Sequence, residues 1–150
     1  MEENRLNSSV IKALLVGDLD SANCLLGYNY TITGTVVEGR KIGREIGFPT
    51  ANILPDADKP IPAGGVYAVE VNTEFGRFPG MLSIGLNPTI DPSNRKTSIE
   101  VNIFDFDRDI YNQKISITFR KRLRDEIRFD SIEQLVAQMK LDREETLKQG

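Results

Sequence analysis

Histidine is absent from this sequence of 150 residues, and cysteine occurs once, as Cys24. Without histidine there is no Ser-His-Asp triad, no Cys-His pair, no imidazole-bound zinc and no histidine acid–base step. A single cysteine excludes an internal disulfide and a thiolate zinc cluster, and it points to a reducing, cytoplasmic setting. Long apolar runs are missing as well. None approaches a membrane span and no signal-peptide pattern opens the chain, so no membrane partner is expected. An excess of positive charge is also lacking: the net charge of −3 weighs against a general nucleic-acid partner. The remaining chemistry must rest on carboxylates, lysine or arginine, backbone groups, or a hard metal held by oxygen. Phosphoryl transfer from a nucleotide meets that restriction, because its demands are positioning and charge neutralisation.

Hydrophobic content of 39% and charged content of 27% fit one ordinary globular domain with a single core. Residues 1–27 read as a helical leader. Asn7, Ser8 or Ser9 can cap a helix bearing Val10, Ile11, Leu14 and Leu15, and residues 1–6 before it read as a frayed end. Gly17-Asp18 breaks that helix. Asp18 can cap a second one with Leu19, Ala22, Leu25 and Leu26, ended by Gly27. Cys24 falls on the apolar side of that helix and is expected to be buried.

From residue 28 the pattern turns to strands. Residues 30–37, 51–54, 65–71, 75–84, 98–106 and 114–119 are β-rich and separated by turn signals, which predicts an antiparallel barrel or sandwich. A last helix is expected after Asp130-Ser-Ile-Glu133, which has capping-box spacing. Ile132, Leu135, Val136 and Met139 then form one stripe, expected to be buried.

The segment from Gly34 to Asn52 holds the densest set of chemical signals. Gly34, Gly39, Gly43 and Gly47 accompany Arg40, Lys41 and Arg44, and Pro49-Thr50-Ala51-Asn52 follows. Glycines let backbone N–H groups curl around an anion, and a hydroxyl and an amide can meet a metal held by phosphates. The pattern is not a Walker A loop, because no Gly-Lys-Ser/Thr and no helix follow. On spacing alone a phosphate loop and a set of plain turns both remain open.

In Ser98-Ile-Glu-Val-Asn-Ile-Phe104, alternation puts Ser98, Glu100 and Asn102 on the face opposite Ile99, Val101 and Ile103. Glu100 is either an ordinary outward carboxylate or a general base at a site mouth. Leu123-Arg-Asp-Glu-Ile-Arg-Phe129 is either a solvated charged loop or a segment that closes over a ligand through Arg124, Glu126 and Phe129. Asp105, Asp107 and Asp109 alternate as on a strand end, but nothing completes a calcium loop, and a solvated turn is the simpler reading.

The sequence resembles the riboflavin kinase family, and in particular the kinase module at the C-terminal end of bacterial bifunctional riboflavin kinase/FAD synthetases. The resemblance rests on Gly34-Thr-Val-Val-Glu-Gly39, Gly43-Arg-Glu-Ile-Gly-Phe-Pro-Thr-Ala-Asn52, Gly65-Val-Tyr-Ala68 and Ile84-Gly-Leu-Asn-Pro-Thr89. It continues through Glu100-Val-Asn-Ile-Phe-Asp-Phe106, Leu123-Arg-Asp-Glu126 and Phe129-Asp-Ser131, in family order. It implies a six-stranded antiparallel Greek-key barrel with a C-terminal helix over residues 28–150. The implied reaction is ATP-dependent phosphorylation of the riboflavin 5′-hydroxyl, giving FMN and ADP, with Mg²⁺ as cofactor. By the same resemblance Glu100 is the catalytic base, and Thr50 and Asn52 meet Mg²⁺ and the nucleotide. Gly39, Gly43, Arg44 and Gly47 fall in the nucleotide loop, and Arg124, Glu126 and Phe129 in the flavin flap. Asn102 stands where many relatives are expected to carry histidine, which touches the tuning of the base rather than the reaction. In bifunctional relatives a preceding adenylyltransferase domain uses a His-x-Gly-His motif. Without histidine, FAD synthesis by this chain alone is not expected. Asn7-Ser-Ser-Val-Ile-Lys12 and the helices after it resemble the closing part of that domain. A flavin or nucleotide sensor without turnover is the alternative, and an RNA-associated barrel is a third reading that the acidic balance disfavours.

Overall fold

The structure, a computed structural model, describes residues 7–37, 50–56, 59–87, 96–106, 109–127 and 129–148. Six antiparallel strands, β1 (Thr31–Val37), β2 (Ala51–Pro55), β3 (Gly65–Thr73), β4 (Gly76–Asn87), β5 (Lys96–Ile103) and β6 (Lys114–Arg124), close into a barrel in the order β1-β2-β5-β4-β3-β6. β3, β4 and β5 form a meander and β6 returns beside β3, so the expected Greek key is present. Alternation fills the barrel: Ile32, Ile53, Tyr67, Val69, Leu82, Ile84, Ile99, Val101, Ile117 and Phe119 are all buried inward. Tyr67 packs edge-on against Phe119 with ring centroids 5.1 Å apart, so rings occupy the middle of the barrel.

Two helices, α1 (Ser8–Leu15) and α2 (Leu19–Leu26), precede the barrel. Asn7 is the cap used by α1, its Oδ1 accepting from Val10 N at 3.0 Å. Asp18 caps α2, and Gly27 ends it in the left-handed region at φ 82°. Val10, Leu14, Leu19, Ala22 and Leu26 belong to the same buried cluster as the barrel interior. Asn23 ties the two together, donating to Phe119 O at 3.2 Å and accepting from Tyr30 N at 2.8 Å. Leu15 and Leu25 face outward instead, and Cys24 is exposed, not buried: Ala13, Leu14, Ala22 and Leu26 already complete the face that meets the barrel.

α3 (Ile132–Lys148) runs outside the barrel. Its cap lies one residue later than expected: Ser131 Oγ accepts from Gln134 N at 3.2 Å, and Gln134 Oε1 accepts from Asp130 N at 3.2 Å. The expected apolar stripe is not fully buried either. Ile132 is exposed, Leu135, Val136 and Met139 are half-buried, and the buried residues of α3 are Asp142 and Thr146. A helix lying over a pocket rather than on a flat wall produces this pattern. Val136 and Met139 meet Met81 and Phe104 on the barrel, and Leu135 and Met139 line the space between.

Candidate active site

Strand register builds the site on the outer wall of the barrel. Asn52 on β2 stands directly opposite Glu100 on β5, and Glu100 opposite Ser83 on β4. Ser83 stands opposite Val66 on β3, and Val66 opposite Arg124 on β6. Directly opposed residues share a face, so these five side chains form one row across five strands. At roughly 4.8 Å per strand step, the row runs about 19 Å along the wall. Its neighbours Ile99, Val101, Leu82 and Ile84 point the other way, into the core.

Arg124 joins this row because of two register shifts between β3 and β6, at Val66/Tyr67 and at Ala68/Val69. Such bulges re-aim side chains at barrel rims. Arg122 consequently turns toward the barrel end, where it donates to Gly64 O and sits 5.9 Å from the centre of the Tyr67 ring. Burial pushes the Tyr67 phenol up, opposed by Arg122. Arg124, two residues later, reaches the outer wall.

α3, residues 124–127 and Phe129 adjoin the row from Glu100 to Arg124 and border a pocket of about 300 Å³. Thr50, Ser83, Glu100, Asn102, Arg124, Glu126 and Asp142 supply its polar lining; Val66, Met81, Leu82, Ile127, Phe129, Leu135 and Met139 supply its apolar lining. Asn102 is buried and Glu100 half-buried. Arg124 is held by Asp142 of α3, with Nε 3.0 Å from Oδ1 and Nη2 2.7 Å from Oδ2, and its guanidinium lies 5.9 Å from the Phe129 ring centre. Glu126 folds back over two residues without side chains: a Cβ built on Gly85 would strike its Oε1, and one on Gly64 would lie 3.7 Å from its Oε2.

Of the residues singled out in the sequence, Thr50, Glu100, Arg124, Glu126 and Phe129 line this one pocket, and Asn52 stands across from Glu100. Gly39, Gly43, Arg44 and Gly47 lie outside the described residues, as does Asp107 of the aspartate series. Among the described residues no group of three or more His, Cys, Asp or Glu gathers to hold a metal. Thr50 and Asn52 are nonetheless hard oxygen donors of the kind Mg²⁺ accepts when phosphates and water supply the rest of its shell. Ser83 and Asp142 were missed in the sequence. Period-2 alternation within β4 places Ser83 outward, but only register puts it beside Glu100; nothing local marks Asp142.

The family model described as flavokinase, riboflavin kinase, matches residues 26–149. The bifunctional riboflavin kinase/FMN adenylyltransferase of Listeria monocytogenes is 44% identical over 140 residues, which cover 93% of this chain and 44% of that protein. This chain thus spans about half the length of the curated relatives it matches. A crystal structure described as a macrolide-efflux protein from Streptococcus pneumoniae superposes with a TM-score of 0.87 at 39% identity, over 94% of this chain and 46% of that one. Riboflavin kinase from Trypanosoma brucei superposes with a TM-score of 0.54 at 25% identity, over 79% of this chain and 77% of that one. With the family model spanning the barrel and α3, and the bacterial relative matching nearly the whole chain, the chain belongs to the riboflavin kinase family.

Proposed function

We propose that this chain transfers the γ-phosphoryl group of ATP to the 5′-hydroxyl of riboflavin, giving FMN and ADP. The observation that carries the reading is the outer-wall row, which sets Glu100, Ser83 and Arg124 in fixed order along one pocket, with Asn52 across from Glu100 at its end. The phosphates belong at the Thr50–Asn52 end, with Gly39, Gly43, Arg44 and Gly47 as the nucleotide loop. The flavin belongs at the other end, between Arg124, Glu126 and Phe129. The ribityl chain then passes Ser83, and its terminal hydroxyl meets Glu100.

Glu100 accepts the hydroxyl proton as the alcohol oxygen bonds to the γ-phosphorus. The bond from that phosphorus to the bridging oxygen breaks, and its electron pair leaves with ADP. Thr50 and Asn52 would hold Mg²⁺, whose charge neutralises the β- and γ-phosphate oxygens when it is bound. The apolar surface from Met81, Leu135, Met139 and Phe129 suits a flat, weakly polar ring system, and it excludes water from the transfer. Residues 28–150 are proposed as the kinase domain, with residues 1–27 as a leader docked on it. FAD synthesis is not assigned to this chain, which has no histidine.

The barrel interior is packed solid by buried aromatic and branched side chains. Among the described residues no helix is long and apolar enough to cross a membrane.

Glu100→Gln tests the reading. It should lower turnover by roughly two to four orders of magnitude while riboflavin, followed by its own fluorescence, binds with near-normal affinity. Near-normal turnover would remove Glu100 from the role of base. Riboflavin binding by the parent chain without any turnover would instead identify a sensor.

A further inference from the structure

We propose that Asp142 is a positioning residue for the flavin end of the pocket, acting through Arg124. The inference rests on the riboflavin kinase reading above. Arg124 and Asp142 both line the pocket, and much of the donor capacity of Arg124 is engaged by Asp142 and by backbone. Nε and Nη2 are held by the two oxygens of Asp142 in a fork, at 3.0 and 2.7 Å, and Nη1 donates to Asp125 O at 3.0 Å. Asp142 is 4% exposed and engaged further: its Oδ1 also accepts from Gln138 Nε2 at 3.0 Å. Its backbone oxygen accepts from Thr146 Oγ1 at 2.8 Å.

The fork is one polar anchor of α3 at this point; Arg143 is another, pairing with Asp105 at 3.3 Å and lying 4.7 Å from the Phe104 ring centre. The apolar contact of α3 with the barrel is a small cluster of Met81, Phe104, Val136 and Met139, and the buried residues of the helix itself are polar. A bidentate arginine–carboxylate pair adds angular specificity that an apolar contact lacks. It fixes the end of β6, and with it the start of the 124–129 segment, to the α3 turn that carries Gln138 and Met139. The pair thereby helps hold Ile127 and Phe129 in place relative to Leu135 and Met139, all four of which line the pocket. Asp142 lies at the far end of the row from Asn52, so its effect belongs to flavin binding and not to Mg-ATP.

The test is steady-state kinetics of Asp142→Asn beside the parent chain, with riboflavin affinity read independently by fluorescence. The neutral amide keeps the shape but loses the charge and one acceptor. The expected result is a riboflavin KM and Kd raised about tenfold or more, kcat lowered less than about threefold, and KM for Mg-ATP within about twofold of the parent. Arg124→Lys keeps the charge without the fork, and it should raise the riboflavin KM in the same direction; where Asp142→Asn does not fold, Asp142→Glu is read in the same assays and decides the matter. Asp142→Glu, which restores a carboxylate, should recover part of the loss. Unchanged riboflavin affinity in the folded variants overturns the inference, as does an equal loss in kcat and both KM values. A parent chain that forms no FMN overturns the underlying reading instead, and that outcome is seen before any variant is compared.

Discussion

Glu100 shows how far a single strand can be read without coordinates. Its flanking residues Ile99 and Val101 are fully buried, so period 2 alone turns Glu100 outward, and the structure has it lining the pocket. Alternation could not say which outward residues it would meet, because that depends on register with β2 and β4. Ser83 and Asn52 became its neighbours only through pairing. Gly85 makes a prediction at the same scale. A Cβ there meets the end of the flexible, exposed Glu126 side chain and not backbone, so Gly85→Ala should leave unfolding stability within about 1 kcal/mol of the parent. It should still displace the Glu126 carboxylate and weaken riboflavin binding roughly two- to twelve-fold, the worth of one hydrogen bond. Combined with Glu126→Ala, whose loss it duplicates, it should add nothing further in a fluorescence titration. Full additivity would separate the two residues.

At the scale of elements, the six strands and three helices were legible, as were some ends, such as the Asp18 and Gly27 caps of α2, but not others. β6 runs on to Arg124, five residues beyond the hydrophobic alternation that marks its start, because its bulges against β3 carry the charged stretch Arg120-Lys-Arg122 into the sheet. Register shifts of this kind leave no composition signal. The cap of α3 slipped by one residue because Asp130 and Ser131 are both competent N-caps and the following Glu133 and Gln134 both fit a capping box. The leader was read as two capped helices, and what the sequence could not give was its place in the barrel's own core. Leu14→Ala, at a side chain 1% exposed, should therefore lower the stability of the whole domain by about 2–5 kcal/mol in urea unfolding followed by tyrosine fluorescence. Leu15→Ala, on the exposed side of the same helix, should change it by less than about 0.5 kcal/mol. An unchanged unfolding midpoint for Leu14→Ala would show that the leader is an appendage.

At the scale of the molecule, the closed barrel separates two tasks. Its interior is filled with packing residues, and the pocket proposed for the chemistry lies on the outer wall beside α3 and residues 124–127 and 129. The family motifs in the sequence marked most of the residues on that wall. Asp142 stayed hidden because a buried acid in a charged helix looks like any solvated one until its partner, 18 positions earlier, is seen beside it. The measurement that tests the central claim most directly is incubation of the chain with riboflavin, ATP and Mg²⁺, with flavins and nucleotides separated by chromatography. The account predicts FMN and ADP in equal amounts, with no FAD. ADP without FMN, or no conversion of riboflavin at saturating ATP, would contradict it.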